Sequence, residues 1–330
     1  MNFKIRKLIL RFPSLLLVRS WMKQVKFKRY DNLSLYRFAK IFLHNLQKDE
    51  LMSRANSVAY NFMLAIFPAI IFLFTLTPYV ARYFPEVNRQ SIMDFMGTML
   101  PPSMYEVVSS TILDIVSNQR GGLLTFGFLF ALYLSTNGMM ALMRAFNACY
   151  QTVERRSAIR MRITATGLTF MLASVLILAV ILLVVGQIVI DYTTQNLTAF
   201  SNFDFNNYTI YLILALRFIV IFIVFFIAIS FIYYFGPAVH YNWDFFSIGS
   251  LLATLGTLGI SYGFSYYITH FGTYNKVYGS IGVLLALMVW VQFITVILLF
   301  GYEINASIHH GIKVEAMELQ KRRMRISQSS

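Results

Sequence analysis

Six apolar runs, each long enough for a helix to cross the hydrocarbon core of a bilayer, dominate this chain. Such a crossing takes about 20 residues. The runs occupy 58–81, 121–143, 163–190, 208–239, 245–269 and 281–305, separated by polar or charged segments. Lipid offers no partners to open backbone groups, so helices are the expected form. The expected fold is therefore all-α: a polytopic integral membrane protein of six transmembrane helices. Composition agrees, since 58% of residues are hydrophobic and only 13% charged, with a mean hydropathy of +0.62. A soluble domain of this composition would lack the polar groups to cover its surface.

The positive charge is distributed unevenly. The first 57 residues hold 13 Lys and Arg, the link Arg144–Arg162 holds 5, and the segment after Tyr302 holds 5. The other side carries Arg82, Arg89, Arg120 and Lys276, while Arg217 falls inside the fourth run. The positive-inside rule places both ends of the chain in the cytoplasm. It also accounts for the net charge of +14 as membrane flanks, with no call for nucleic acid. Residues 1–57 are expected to be cytoplasmic or interfacial, 58–305 the membrane domain, and 306–330 a basic tail containing Lys321, Arg322, Arg323 and Arg325. Leu8–Val18 is broken by Arg11 and Pro13, and no small-residue cleavage pattern follows, so the N-terminal segment is expected to stay on the protein.

Two amphipathic regions flank the spans. Leu35, Ala39, Phe42 and Leu46 recur at helical spacing, with Arg37, Lys40, His44 and Lys48 on other faces. This N-terminal helix either lies on an anionic leaflet or packs under the bundle. The outer loop 82–120 reads as two short helices, through Ile92, Phe95, Met96 and Met99, then Tyr105, Val108, Ile112 and Ile115, joined at Pro101-Pro102.

Three groups of residues are candidates for function. Arg217, counted from Tyr208, falls at mid-membrane, where ionisable side chains mark substrate or ion paths. If the helix instead starts at Phe218, Arg217 lies at the outer interface. Gln292 and Asn137 are its candidate partners in binding substrate. Arg54, Arg144 and Glu303 stand at the cytoplasmic ends of spans one, two and six, and a pairing of Glu303 with either arginine would tie the bundle shut. Asn56, Asn147 and Asn305 complete that polar cluster. Gly249, Ala253, Gly256, Gly259 and Gly263 occupy about one third of the fifth helix's surface and read as a close-packing face.

Catalytic chemistry finds little support. None of His44, His240, His270, His309 and His310 pairs with a carboxylate at a metal-ligand spacing, and no nucleotide-binding fingerprint occurs. No enzyme activity, metal or cofactor is expected. The lone Cys149 excludes an intrachain disulfide and reads as a small packing residue.

Several motifs, in order, carry a family resemblance. Arg54-Ala55-Asn56-Ser57-Val58-Ala59-Tyr60 is followed by Ile66-Phe67-Pro68, then Leu100-Pro101-Pro102 and Gly121-Gly122. Arg144-Ala145-Phe146-Asn147-Ala148-Cys149-Tyr150 precedes Arg155-Arg156. Tyr278-Gly279-Ser280-Ile281-Gly282 and Gly301-Tyr302-Glu303-Ile304-Asn305-Ala306 close the set. From Arg54 to Ser307 the chain resembles the YihY/virulence factor BrkB family. Ala65 departs from it, standing where the family often has Ser. The resemblance implies a bacterial inner-membrane protein. Members have carried a ribonuclease label, which the residues here do not support, and others are linked to serum resistance or envelope lipid export. The expected role is transport or export of an envelope lipid or another amphipath. Membrane lipids, anionic ones included, are the expected partners, with a second copy or an envelope protein as further candidates. The alternative is a scaffold that transports nothing.

Overall fold

The computed structural model describes residues 20–27, 33–48, 50–80, 90, 93–94, 109–110, 112–115, 119–150, 152–197, 205–238, 244–270 and 280–327. Pro101-Pro102 and most of the expected outer-loop helices lie outside the described residues, as does the segment before residue 20. A two-residue antiparallel ribbon, β1 (Lys26–Phe27) with β2 (Leu33–Ser34), precedes α1 (Leu35–Lys48). Six long helices follow: α2 (Leu51–Val80), α3 (Gly121–Cys149), α4 (Ala158–Leu197), α5 (Phe205–Phe235), α6 (Ile248–His270) and α7 (Ser280–Ser327). All six are long and apolar enough to cross a membrane. Many large apolar side chains point outward, among them Leu73, Phe126, Ile177 and Leu216. That is the surface a lipid solvent favours and water does not.

Every run extends beyond its apolar part or starts close to it. The largest extension is α7, 48 residues long. At 1.5 Å per residue it reaches roughly 72 Å, more than twice the hydrocarbon thickness, so one end must leave the membrane. The expected tail after residue 305 is thus the second half of one helix. Pro68 and Pro78 lie within α2. Membrane helices tolerate such residues where neighbours and Thr side chains satisfy the freed backbone groups.

Each long helix packs on the next, and α7 closes on α2 while also touching α3. The core concentrates at the basic end. Phe146 of α3 stacks on Tyr302 of α7 with ring centres 4.3 Å apart, and Tyr233 of α5 meets both rings edge-on at 5.4 Å. All three rings are buried. Tyr233 Oη donates to the Leu298 carbonyl at 2.6 Å, so the polar tip of this buried ring is satisfied. The central axis at this end is filled with aromatic side chains.

Helices α6 and α7 approach closely. A Cβ on Gly249 would strike the Gly301 carbonyl oxygen, and one on Gly256 would lie 2.9 Å from Ile297 Cγ2. Ala253 is fully buried in the same contact. Gly259 and Gly263 are exposed and meet nothing within 4 Å among the described residues. Among the described residues the small-residue face meets α7 at Gly249, Ala253 and Gly256.

Helix α1 packs on α7 rather than standing alone. Phe42 meets Phe300 edge-on at 5.0 Å, and Leu33, fully buried, sits with Ile304 and Ile308.

Candidate functional site

At the basic end, α2, α3 and α4 enclose a cavity of about 450 Å³. Its lining includes Arg54, Ser57 and Asn61 from α2, Asn137, Ala141, Arg144 and Ala148 from α3, and Arg162 from α4. The α3 positions recur at i, i+4, i+7 and i+11, one stripe of a helix. Met139, Met143 and Phe146, all in the core, lie on the opposite side of α3, while Met140 and Ala145, also of the core, form the cavity's inner wall. The cavity is thus lateral. It faces the surroundings of the bundle and not its axis.

The lining carries three guanidinium groups and no acidic side chain. Arg162 is held firmly: its Nη1 donates to Asn137 Oδ1 and Thr136 Oγ1, both at 2.8 Å. Its guanidinium also lies 4.7 Å from the Tyr133 ring centre, a cation–π distance. Arg54 Nη1 approaches Cys149 Sγ at 3.8 Å. Arg144 is exposed and makes no hydrogen bond or ion pair among the described residues. Arginine is always charged and matches the geometry of phosphate and carboxylate oxygens. Three of them around one cavity have the chemistry to hold an anion.

The structure redistributes the other residues singled out by sequence. Gln292 of α7 donates to Asn56 Oδ1 of α2. Asn137 instead holds Arg162. Arg217, half-buried, lies along α4, where a Cβ on Gly186 would meet its Cδ at 3.7 Å. It sits sixteen residues from Tyr233, roughly 24 Å along α5. The helix begins twelve residues earlier, at Phe205 and not at Phe218, so Arg217 lies within α5 and not at its start. The cavity lining does not include it.

The asparagines and Glu303 expected in the polar cluster at the basic end make the following contacts. Asn147 donates from Nδ2 to Glu154 Oε2 at 2.8 Å and accepts the Ala238 amide at 2.8 Å. Arg156 grips Glu154 with Nε and Nη2 at 2.9 and 2.8 Å and donates to the Gly236 carbonyl at 2.8 Å. The α3–α4 link is thereby latched to the end of α5. The Arg156 guanidinium holds the Glu154 carboxyl below its ordinary pKa, against a smaller opposing effect of burial. Glu303, 1% exposed, accepts from Asn45 Nδ2 of α1 at 2.8 Å and from Ser307 Oγ at 3.3 Å. Asn305 Oδ1 accepts the Gly249 amide at 2.9 Å, and its Nδ2 donates to Ser247 Oγ at 2.7 Å. It thus serves the first turn of α6 across the helix interface, beside the Ser247–Ser250 reciprocal cap.

Asn45, Asn61, Glu154 and Arg162 were missed from sequence. For Asn61 a signal existed: Arg54, Ser57 and Asn61 form a polar i, i+3, i+7 stripe on an apolar helix. Arg162 stands next to the third apolar run, where it passes for an ordinary flanking charge. Among the described residues no three His, Cys, Asp or Glu gather in a way that could hold a metal ion.

Comparison with known proteins gives one consistent result. The virulence factor BrkB family profile matches residues 42–326. The chain is 31% identical over 277 residues to the ribonuclease-like protein YfkH of Bacillus subtilis, covering 84% of this chain and 95% of that protein. It is 26% identical over 306 residues to a UPF0761 membrane protein of Pseudoalteromonas atlantica, covering 91% and 92%. A UPF0761 membrane protein of Vibrio atlanticus is 26% identical over 277 residues, covering 82% of each chain. No solved structure matches.

Proposed function

The chain belongs to the virulence factor BrkB family of membrane proteins, and from that premise we propose that it binds anionic amphipaths of the bilayer and moves them between leaflets. The observation that carries this reading is the lateral cavity with Arg54, Arg144 and Arg162 in its lining. Its opening toward the lipid side of α3 fits a ligand that arrives from within the membrane. Its position at the basic end fits the headgroup level of the cytoplasmic leaflet, with both chain ends in the cytoplasm of a bacterial inner membrane. The reading is not enzymatic: the cavity has cations and amides to hold an anion and no carboxylate, histidine or thiol among its lining residues to act on one.

An axial pore is not invoked, because Phe146, Tyr233 and Tyr302 fill the axis at the basic end. That same filling favours the second reading, a scaffold that binds lipid but moves none. Reconstitution into liposomes with a fluorescent anionic lipid separates the two. Transport predicts leaflet exchange well above empty vesicles, falling to that background in the Arg54→Ala/Arg144→Ala protein. Wild-type exchange no faster than empty vesicles would refute transport.

A further inference from the structure

Resting on that reading, we infer that the cavity selects lipids whose headgroup is a phosphomonoester dianion over those carrying a phosphodiester monoanion. The first ground is charge. Arg144 and Arg162 make no ion pair among the described residues and the lining holds no acid, so a dianion balances these two charges where a monoanion balances one. The second is the open hydrogen-bonding edge of Arg162. Asn137 and Thr136 occupy its Nη1, while Nε and Nη2 make no hydrogen bond among the described residues. That edge is the one that grips two oxygens of a phosphate at once. A phosphomonoester presents three terminal oxygens, enough for Arg162 to take two and Arg144 the third. A phosphodiester presents two. The third ground is placement. A cavity of about 450 Å³ falls within the roughly 300–1,000 Å³ of small-ligand sites, room for a headgroup, and entry past the outer side of α3 would leave the acyl chains in the bilayer.

The chemistry of the ligand supplies a signature. A phosphomonoester gains its second charge near pH 6. The charged groups facing the cavity are Arg54 on α2, Arg144 on α3 and Arg162 on α4, and arginines do not titrate in this range. Affinity for a phosphomonoester lipid therefore rises from about pH 5 to about pH 7.5, while that for a phosphodiester lipid stays flat.

The test uses the full chain in a non-ionic detergent, with short-chain phosphatidic acid, short-chain phosphatidylglycerol and inorganic phosphate as probes. At about pH 7.5 phosphatidic acid should bind about tenfold or more tightly than phosphatidylglycerol. Arg144→Ala, an exposed position, should remove most of that preference, and Arg155→Ala, exposed in the neighbouring link, should leave it intact. Equal affinity for the two lipids, or a preference unchanged by Arg144→Ala, overturns the inference. Inorganic phosphate binding as tightly as phosphatidic acid also overturns it, because the ligand would then be a soluble phosphate. Lipid exchange in liposomes is read separately. Selectivity without exchange sinks transport and leaves this inference standing, and exchange without selectivity does the reverse.

Discussion

Replacing Gly301 with Ala tests the packing that fixes α5, α6 and α7 against one another. The added Cβ would lie 2.7 Å from Ala253 Cβ, from the Gly249 carbonyl oxygen and from Tyr233 Oη. Apolar atoms rest at about 3.5–4.0 Å, so the helices must part by roughly 1 Å. None of the three neighbours can give way easily. Gly249 contributes backbone, Ala253 has no rotamer to change, and Tyr233 is tied to the Leu298 carbonyl. Overpacking of this kind costs about 1–3 kcal/mol. The gain in helix propensity returns about 0.5–1 kcal/mol, leaving a net loss between about 0 and 2.5 kcal/mol, with about 1–2 kcal/mol at the centre of the range. Cys149, buried and the chain's only cysteine, reports unfolding in detergent through a thiol-reactive fluorophore. At about 2–4 °C per kcal/mol, the midpoint should fall by about 2–8 °C. Gly259→Ala on α6, with nothing within 4 Å, should melt with wild type or slightly above it. A Gly301→Ala midpoint equal to wild type, or an equal fall for Gly259→Ala, would refute the packing argument.

Glu303→Gln replaces a buried carboxylate that accepts from Asn45 and Ser307. The loss should be about 1–3 kcal/mol, expressed as faster tryptic cleavage at Arg37, Lys40 and Lys48 of α1; unchanged cleavage would contradict the docking of α1 on α7. Glu154 gives a pH dependence. Its folded-state pKa is depressed by Arg156, so its contribution is present above the unfolded value and is lost as pH falls through the folded one. Protection of the 152–157 amides, relative to their intrinsic exchange rates, should therefore be high at neutral pH and fall in acid, and Glu154→Gln should show low protection at both; an acid loss of protection that survives in Glu154→Gln would show that another group governs the latch.

What could be read from sequence was governed by local pattern. The six spans follow from runs of apolar residues, and α1 follows from the period of Leu35, Ala39, Phe42 and Leu46. Which polar residues meet depends on how each helix is rotated and how deeply it sits, and no local pattern encodes that. Asn45 and Glu303 are 258 positions apart, and their contact exists only because α1 folds back onto α7. Asn305 reads as one more polar residue at a span's end, yet it serves the first turn of α6. Arg54 and Arg144 were legible as a pair at one depth. Arg162 was not, because its importance comes from Asn137 and Thr136 on the neighbouring helix. Arg217 drew attention as the single charge in an apolar run, while the cavity formed from charges that flank runs.

The central claim is that an anionic lipid headgroup enters the cavity from the side of α3. Photo-crosslinking in native membranes measures this directly, with a benzophenone amino acid in place of Ala141, which lines the cavity beside Arg144. The account predicts phospholipid adducts at this position, reduced severalfold when Arg54→Ala and Arg144→Ala are added. Absence of lipid adducts at position 141, or labelling indifferent to both arginines, would contradict it.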